Sequence, residues 1–173
     1  MTKEQLAARV REVAYLEGDF VLRSGRRSKY YLDKYLFETA PDILAEFGRR
    51  MAEFAADAEV IAGPELGAVA LAAATSLACG KPFAIVRKAA KDHGTAKRIE
   101  GTPVQDKRVL LVEDVGTTAG AALAAAETLT QAGATITRIV FAIDRMEGAR
   151  ENVQAAGYEF HAILDARDLG IIK

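Results

Sequence analysis

The spacing of apolar positions changes along this chain, and the changes mark its elements. Leu6, Val10, Val13 and Leu16 recur at helical spacing, behind a Thr2 and Gln5 pair that reads as a capping box. Gly18 is expected to stop that helix. Residues 18–35 read as two short strands around a Ser24-Gly25 turn. Thr39 and Pro41 open a second helix, with Ile43, Leu44, Phe47, Met51 and Phe54 as its buried face. From residue 60 short apolar runs alternate with Ala-rich helical segments. Strands are predicted at 60–62, 83–86, 109–112, 135–143 and 158–164. Helices are predicted up to about 78, over 121–131 and over 147–156, with Gly80, Gly133 and Gly157 at their ends. This alternation predicts an α/β fold, a central mostly parallel sheet flanked by helices. Ligands on such sheets bind at the carboxyl ends of the strands. Four loops fall there: 63–67, 87–103, 113–120 and Asp144-Arg145.

Composition narrows the picture. The 173 residues suffice for a domain with a real core, half are apolar, and the formal net charge is −1. That balance gives no general affinity for nucleic acid. No run approaches the roughly 18 apolar residues that a membrane span needs. The first residues carry acids and lack the apolar core of a signal peptide, and the lone Cys79 suits a reducing compartment, so a cytoplasmic protein is expected. Cys79 is expected to be a buried, inert thiol. Two histidines far apart offer no zinc spacing, and His161, within a strand, reads as structural. Between positions 87 and 98 five cations face one acid. Such a run is ordinarily a solvated surface, and a patternless loop of this length in a compact domain is either disordered or functional.

The chemistry concentrates in the run VLLVEDVGTTAGAA, residues 109–122. An apolar strand leads to Glu113 and Asp114, then to a turn of small residues and a helix. Free N–H groups of such a turn and helix start converge on one point, where the helix dipole favours negative charge. Thr117 and Thr118 add hydroxyl donors, while the paired acids suit vicinal hydroxyls. A phosphate beside a diol describes a ribose 5-phosphate.

This run resembles the signature by which type I phosphoribosyltransferases bind 5-phosphoribosyl 1-diphosphate (PRPP). Four segments, in order, extend the resemblance over nearly the whole chain to the orotate-using branch of that family: F-x-L-x-S-G-x-x-S-x-Y-Y at 20–31, G-P-E-L-G at 63–67, R-K-x-x-K-D-H-G at 87–94, and the central run followed by Asp144-Arg145. The resemblance implies a type I phosphoribosyltransferase fold over 1–173. Residues 1–38 would form a small N-terminal hood with the base-binding segment, and 39–173 an α/β core with a mobile loop at 88–103. It implies transfer of ribose 5-phosphate to N1 of orotate, releasing diphosphate, within pyrimidine biosynthesis.

By the same resemblance Val115, Gly116, Thr117, Thr118, Ala119, Gly120 and Ala121 hold the 5-phosphate, and Glu113 and Asp114 take the ribose hydroxyls. Pro64, Glu65, Leu66 and Gly67 form the diphosphate loop. Arg27, Arg87, Lys88, Lys91 and His93 face the diphosphate, with Lys91, His93 and Asp114 as catalytic groups. Tyr30, Tyr31, Thr117 and Arg145 hold orotate. Mg²⁺ is implied as cofactor, carried on diphosphate, ribose hydroxyls and water with no direct protein ligand. A homodimer is implied, the loop of one subunit closing over its neighbour's site.

Some positions depart from the family pattern. Ala119 stands where glycine is usual, Ala121 lacks a seryl hydroxyl, Arg27 replaces lysine, and Thr95 to Arg98 is more basic than the usual glycines. Two other readings remain open: a type I enzyme for a different base, and a non-catalytic PRPP-sensing regulator. The second would keep the phosphate loop without needing Lys91 or His93.

Overall fold

The structure is a computed structural model, and it describes residues 1–21, 27–89 and 97–172. A six-stranded sheet forms its centre. In chain order its strands are β3 (Val60–Pro64), β4 (Phe83–Val86), β5 (Ile99–Gly101), β6 (Arg108–Gly116), β7 (Thr135–Asp144) and β8 (Phe160–Asp165). In space they run β5-β4-β3-β6-β7-β8, all parallel except β5, which pairs antiparallel to β4 at the edge. β6 is buried along seven of its nine residues, because alternate side chains feed opposite cores. Leu110 and Val112 join the core beneath α1 (Lys3–Ala14), α3 (Pro41–Ala52) and α4 (Ala68–Cys79). Val109 and Leu111 join the core beneath α5 (Gly120–Gln131) and α6 (Ala149–Ala155). Leu110 and Leu111 are both fully buried, each contributing about 2 kcal/mol through lost apolar exposure.

The strand order reverses between β3 and β6. The chain moves outward from β3 to β4, returns across the sheet to β6, and continues outward through β7 and β8. The carboxyl ends of β3 and β6 therefore part their loops and open a crevice between them.

A separate antiparallel ribbon precedes the sheet: β1 (Tyr15–Val21) with β2 (Arg27–Leu32). The Ser24-Gly25 turn, with Arg23 and Arg26, lies outside the described residues. Here the structure corrects the sequence pattern. α1 has the expected capping box but ends at Ala14, whose carbonyl accepts the Asp33 N–H at 2.9 Å. Tyr15 and Leu16 pair with Leu32 and Tyr31, so Leu16 is a partly exposed strand residue and Gly18 lies inside β1 at a register shift. A one-turn helix, α2 (Lys34–Glu38), follows β2, and Thr39 ends it rather than opening α3. The stretch 87–103, expected as a patternless loop, contains β5, held by Val86 and Ile99 in register. β6 runs four residues past Val112, carrying both acids within the strand. Cys79 is half-buried rather than buried.

Candidate active site

The acids sit at the end of β6, at the switch in strand order. Glu113 is 6% and Asp114 5% exposed. The Val115 N–H donates to Asp114 Oδ1 at 2.5 Å, and Lys34 Nζ donates to Oδ2 at 2.6 Å. One Glu113 oxygen accepts the Asp114 N–H at 3.1 Å, while Oε2 is buried without a hydrogen-bond partner among the described residues. Burial, and then the charge of Asp114, pushes the Glu113 carboxyl up to about 8. Burial works against the Lys34 charge, but its hydrogen bond and attraction to Asp114 prevail and raise its pKa.

Glu38, one helical turn after Lys34, is 3% exposed, and burial followed by the Asp114 charge pushes it up to about 8. Gly67 makes room for this group. A β-carbon there would lie 1.9 Å from Asp114 Oδ2 and 2.8 Å from Glu38 Oε1.

The turn after β6 enters α5 through Ala119, at φ 62° and ψ 17°. Among the described residues no side chain caps α5, so the N–H groups of its first turn are open to a ligand. Thr117 and Thr118 are exposed beside it. Two bonds brace the turn: Asn152 Nδ2 donates to the Thr118 carbonyl at 3.0 Å, and the Arg145 N–H to the Gly116 carbonyl at 2.8 Å. Gly116 is tightly enclosed, since a β-carbon would press on Phe141 at 3.0 Å and Ala149 at 3.1 Å. The acids, Lys34, Lys88, Glu65 and this turn share one cleft of about 270 Å³. A phosphate at the helix start and a diol at the acids would lie within it together.

Glu65 anchors the basic stretch to the cleft. Its Oε1 accepts the Lys88 N–H at 2.7 Å, and its Oε2 lies 3.8 Å from Arg87 Nε. Arg87 and Arg98 are further joined through backbone, at 2.8 Å. Lys91 and His93 lie outside the described residues. Arg27 is exposed at the start of β2, and the described cleft wall does not include it. Arg145 stands beside the turn before α5, because Gly116 and Asp144 pair in register. Its Nη2 donates to the Tyr30 hydroxyl at 2.8 Å and lies 3.0 Å from Glu147. Tyr31 points to the opposite side of β2, against Phe20 at 5.6 Å, as strand alternation requires. The structure thus unites Glu113, Asp114, Lys88, Glu65 and the turn before α5, with Tyr30 and Arg145 adjoining, and sets Tyr31 and Arg27 apart.

Residues 38–157 match the sequence family described as the phosphoribosyl transferase domain. The chain belongs to the phosphoribosyl transferase family. Its relatives include the orotate phosphoribosyltransferase of Methanocella arvoryzae, 44% identical over 153 residues that make up 88% of this chain and 87% of that one. The orotate phosphoribosyltransferase of Methanoculleus marisnigri is 46% identical over 152 residues, 88% of each chain. Among solved structures, Mycobacterium tuberculosis orotate phosphoribosyltransferase in complex with PRPP superposes with a TM-score of 0.84 at 34% identity, covering 97% of this chain and 98% of that one. The same enzyme in complex with Fe(III) dicitrate gives a TM-score of 0.89 at 36% identity, with the same coverage.

Three side chains of this phosphoribosyl transferase carry no motif: Lys34, Glu38 and Asn152. Asp33 caps α2 by accepting the Tyr35 N–H at 3.1 Å, and that cap was the available sign of the helix that presents Lys34 and Glu38.

Proposed function

We propose that this phosphoribosyl transferase moves ribose 5-phosphate from PRPP to N1 of orotate, giving orotidine 5′-monophosphate and diphosphate in pyrimidine biosynthesis. The observation that carries this reading is Arg145, held by Tyr30 directly beside the phosphate turn. A guanidinium there suits a carboxylate-bearing base, whose two oxygens match its paired N–H donors.

The chemistry follows from charge. As the bond to diphosphate breaks, positive charge builds on the ribose ring and negative charge on the leaving group. In the proposed assignment residues 115–121 hold the 5-phosphate, chiefly through backbone N–H groups, since Ala121 has no hydroxyl. Asp114 and Glu113 take the ribose hydroxyls, and the Asp114 anion lies near the ring cation. Lys88, with Lys91 and His93, meets the departing diphosphate, whose attraction to them grows as water is excluded. Arg145 and Tyr30 orient orotate.

Asp114 is already committed to a backbone N–H and to Lys34, and Glu113 to a backbone N–H. That donor set suits Mg²⁺ arriving on the oxygens of PRPP and water. Bound there, Mg²⁺ would offset diphosphate charge. The proposal includes a homodimer in the cytoplasm, with loop 88–103 reaching the neighbouring site.

Ultraviolet absorbance of orotate mixed with protein, PRPP and Mg²⁺ tests the reading, with adenine, hypoxanthine and uracil in parallel. Orotate loss that requires both PRPP and Mg²⁺ is expected. No loss with any base, while calorimetry still detects PRPP, would replace the transferase by a sensor.

A further inference from the structure

We propose that Lys34 and Glu38, one turn apart on α2, are positioning residues that hold the Asp114 carboxylate for the ribose hydroxyls of PRPP. Lys34 acts from the cleft and Glu38 from the buried side. The inference rests on reading the cleft as the PRPP site.

Backbone fixes only Asp114 Oδ1, through the Val115 N–H. Oδ2 would otherwise lie among carboxyl groups, with Glu113 adjacent and Glu38 across the space that Gly67 leaves open. Lys34 supplies the cation there and lines the cleft while doing so. Its side chain is 34% exposed, so it can yield Oδ2 to an arriving hydroxyl without losing contact with water.

Among the described residues, Glu38 Oε1 is buried without a hydrogen-bond partner. A proton on Glu38 resolves this, because the protonated carboxyl can donate to Asp114. Burial and the Asp114 charge favour that proton. The charged groups facing Glu38 are Asp33 and Lys34 from its own stretch, and Asp114 and Glu113 from β6. Lys34 and Glu38 follow Tyr30 closely in sequence, so one short segment steadies both the ribose and the base sides of the cleft.

The test measures KM for each substrate, PRPP affinity by calorimetry, and Tm in Lys34→Ala, Lys34→Arg, Glu38→Gln and Glu38→Leu. Lys34→Ala should raise the KM and Kd for PRPP about tenfold and leave the orotate KM within about twofold. Lys34→Arg should recover most of the loss. Glu38→Gln keeps a donor toward Asp114 and should stay closer to wild type than Glu38→Leu. Wild-type PRPP affinity should fall as pH rises through about 8, and Glu38→Gln should flatten that fall. Unchanged PRPP constants in Lys34→Ala and Glu38→Leu would overturn the proposal, as would losses for both substrates that merely follow Tm. A wild-type protein that consumes no orotate would instead overturn the transferase reading, and calorimetry with PRPP would still decide the role of Lys34.

Discussion

Arg145 Nη2 donates to the Tyr30 hydroxyl at 2.8 Å, joining the end of β7 to the N-terminal ribbon across 115 positions of sequence. Glu147 holds the same guanidinium at 3.0 Å. The arginine is thus pre-oriented, and little side-chain entropy remains to be lost when an anion arrives. Arg145→Ala is expected to lower kcat/KM for orotate by about 30-fold to 1,000-fold, the equivalent of removing one partner of a desolvated ion pair. PRPP affinity by calorimetry should stay within about twofold, since the turn and acid pair proposed to bind PRPP are untouched. Near-normal orotate turnover in this variant would retire the orotate assignment.

Gly67 separates a backbone requirement from a spatial one. Its φ of −61° and ψ of −48° suit any residue, so Ala brings no conformational strain. Space forbids it, because the new β-carbon would overlap Asp114 Oδ2 at 1.9 Å. Gly67→Ala should therefore fold but displace the Asp114 carboxylate from the place proposed for the ribose hydroxyls. Calorimetry should register PRPP binding weakened by about tenfold or more, with far-ultraviolet dichroism unchanged. Full PRPP affinity would mean that Asp114 can turn aside without consequence.

Periodicity sufficed for most of the sheet and its helices, because strands buried on both faces and Ala-rich helices leave long, clear patterns. It failed where tertiary pairing decides the outcome. Tyr15 and Leu16 fit a helical repeat but are captured as strand by Leu32 and Tyr31. β5 has three residues and α2 five, both too short to show a period. The turn before α5 and the acid pair at the end of β6 were legible because they are contiguous in sequence. The Lys34 and Asp114 pair was not, since only folding brings together positions 80 apart. Tyr30 and Tyr31 looked equivalent until the pleat put them on opposite faces.

Ala119 holds a left-handed conformation, which costs an alanine roughly 1–2 kcal/mol. Its methyl is nevertheless buried, in the core beneath α5, and that burial contributes about 0.8 kcal/mol. Glycine would relieve the strain but lose the methyl and add about 0.4–1 kcal/mol of unfolded-state entropy. The terms nearly offset, so Ala119→Gly should change stability by less than about 1 kcal/mol in urea titration. Ala119→Val, β-branched at positive φ, should destabilise by clearly more. A glycine variant more stable by about 2 kcal/mol or more would show that packing does not offset the strain.

Glu46 sets an acid limit on stability. Arg49 reaches its carboxylate at 2.9 and 3.1 Å, Arg50 at 2.8 Å, and the amino terminus at 3.8 Å. The Arg49 bonds foremost, and those of Arg50 after them, outweigh burial and lower its pKa from 4.5 to about 2. The folded state therefore favours the ionised form. The stabilisation is fully present above the unfolded value of 4.5, and it drains away as pH falls toward 2. Glu46→Gln should accordingly be less stable than wild type at neutral pH, and the gap between their urea midpoints should close as pH falls from 4.5 to 2. Because protonated Glu and Gln are both neutral and similar in shape, the two curves should meet at the acid end. A gap as wide near pH 2 as at neutral pH would place the effect in packing around Glu46 rather than in its charge.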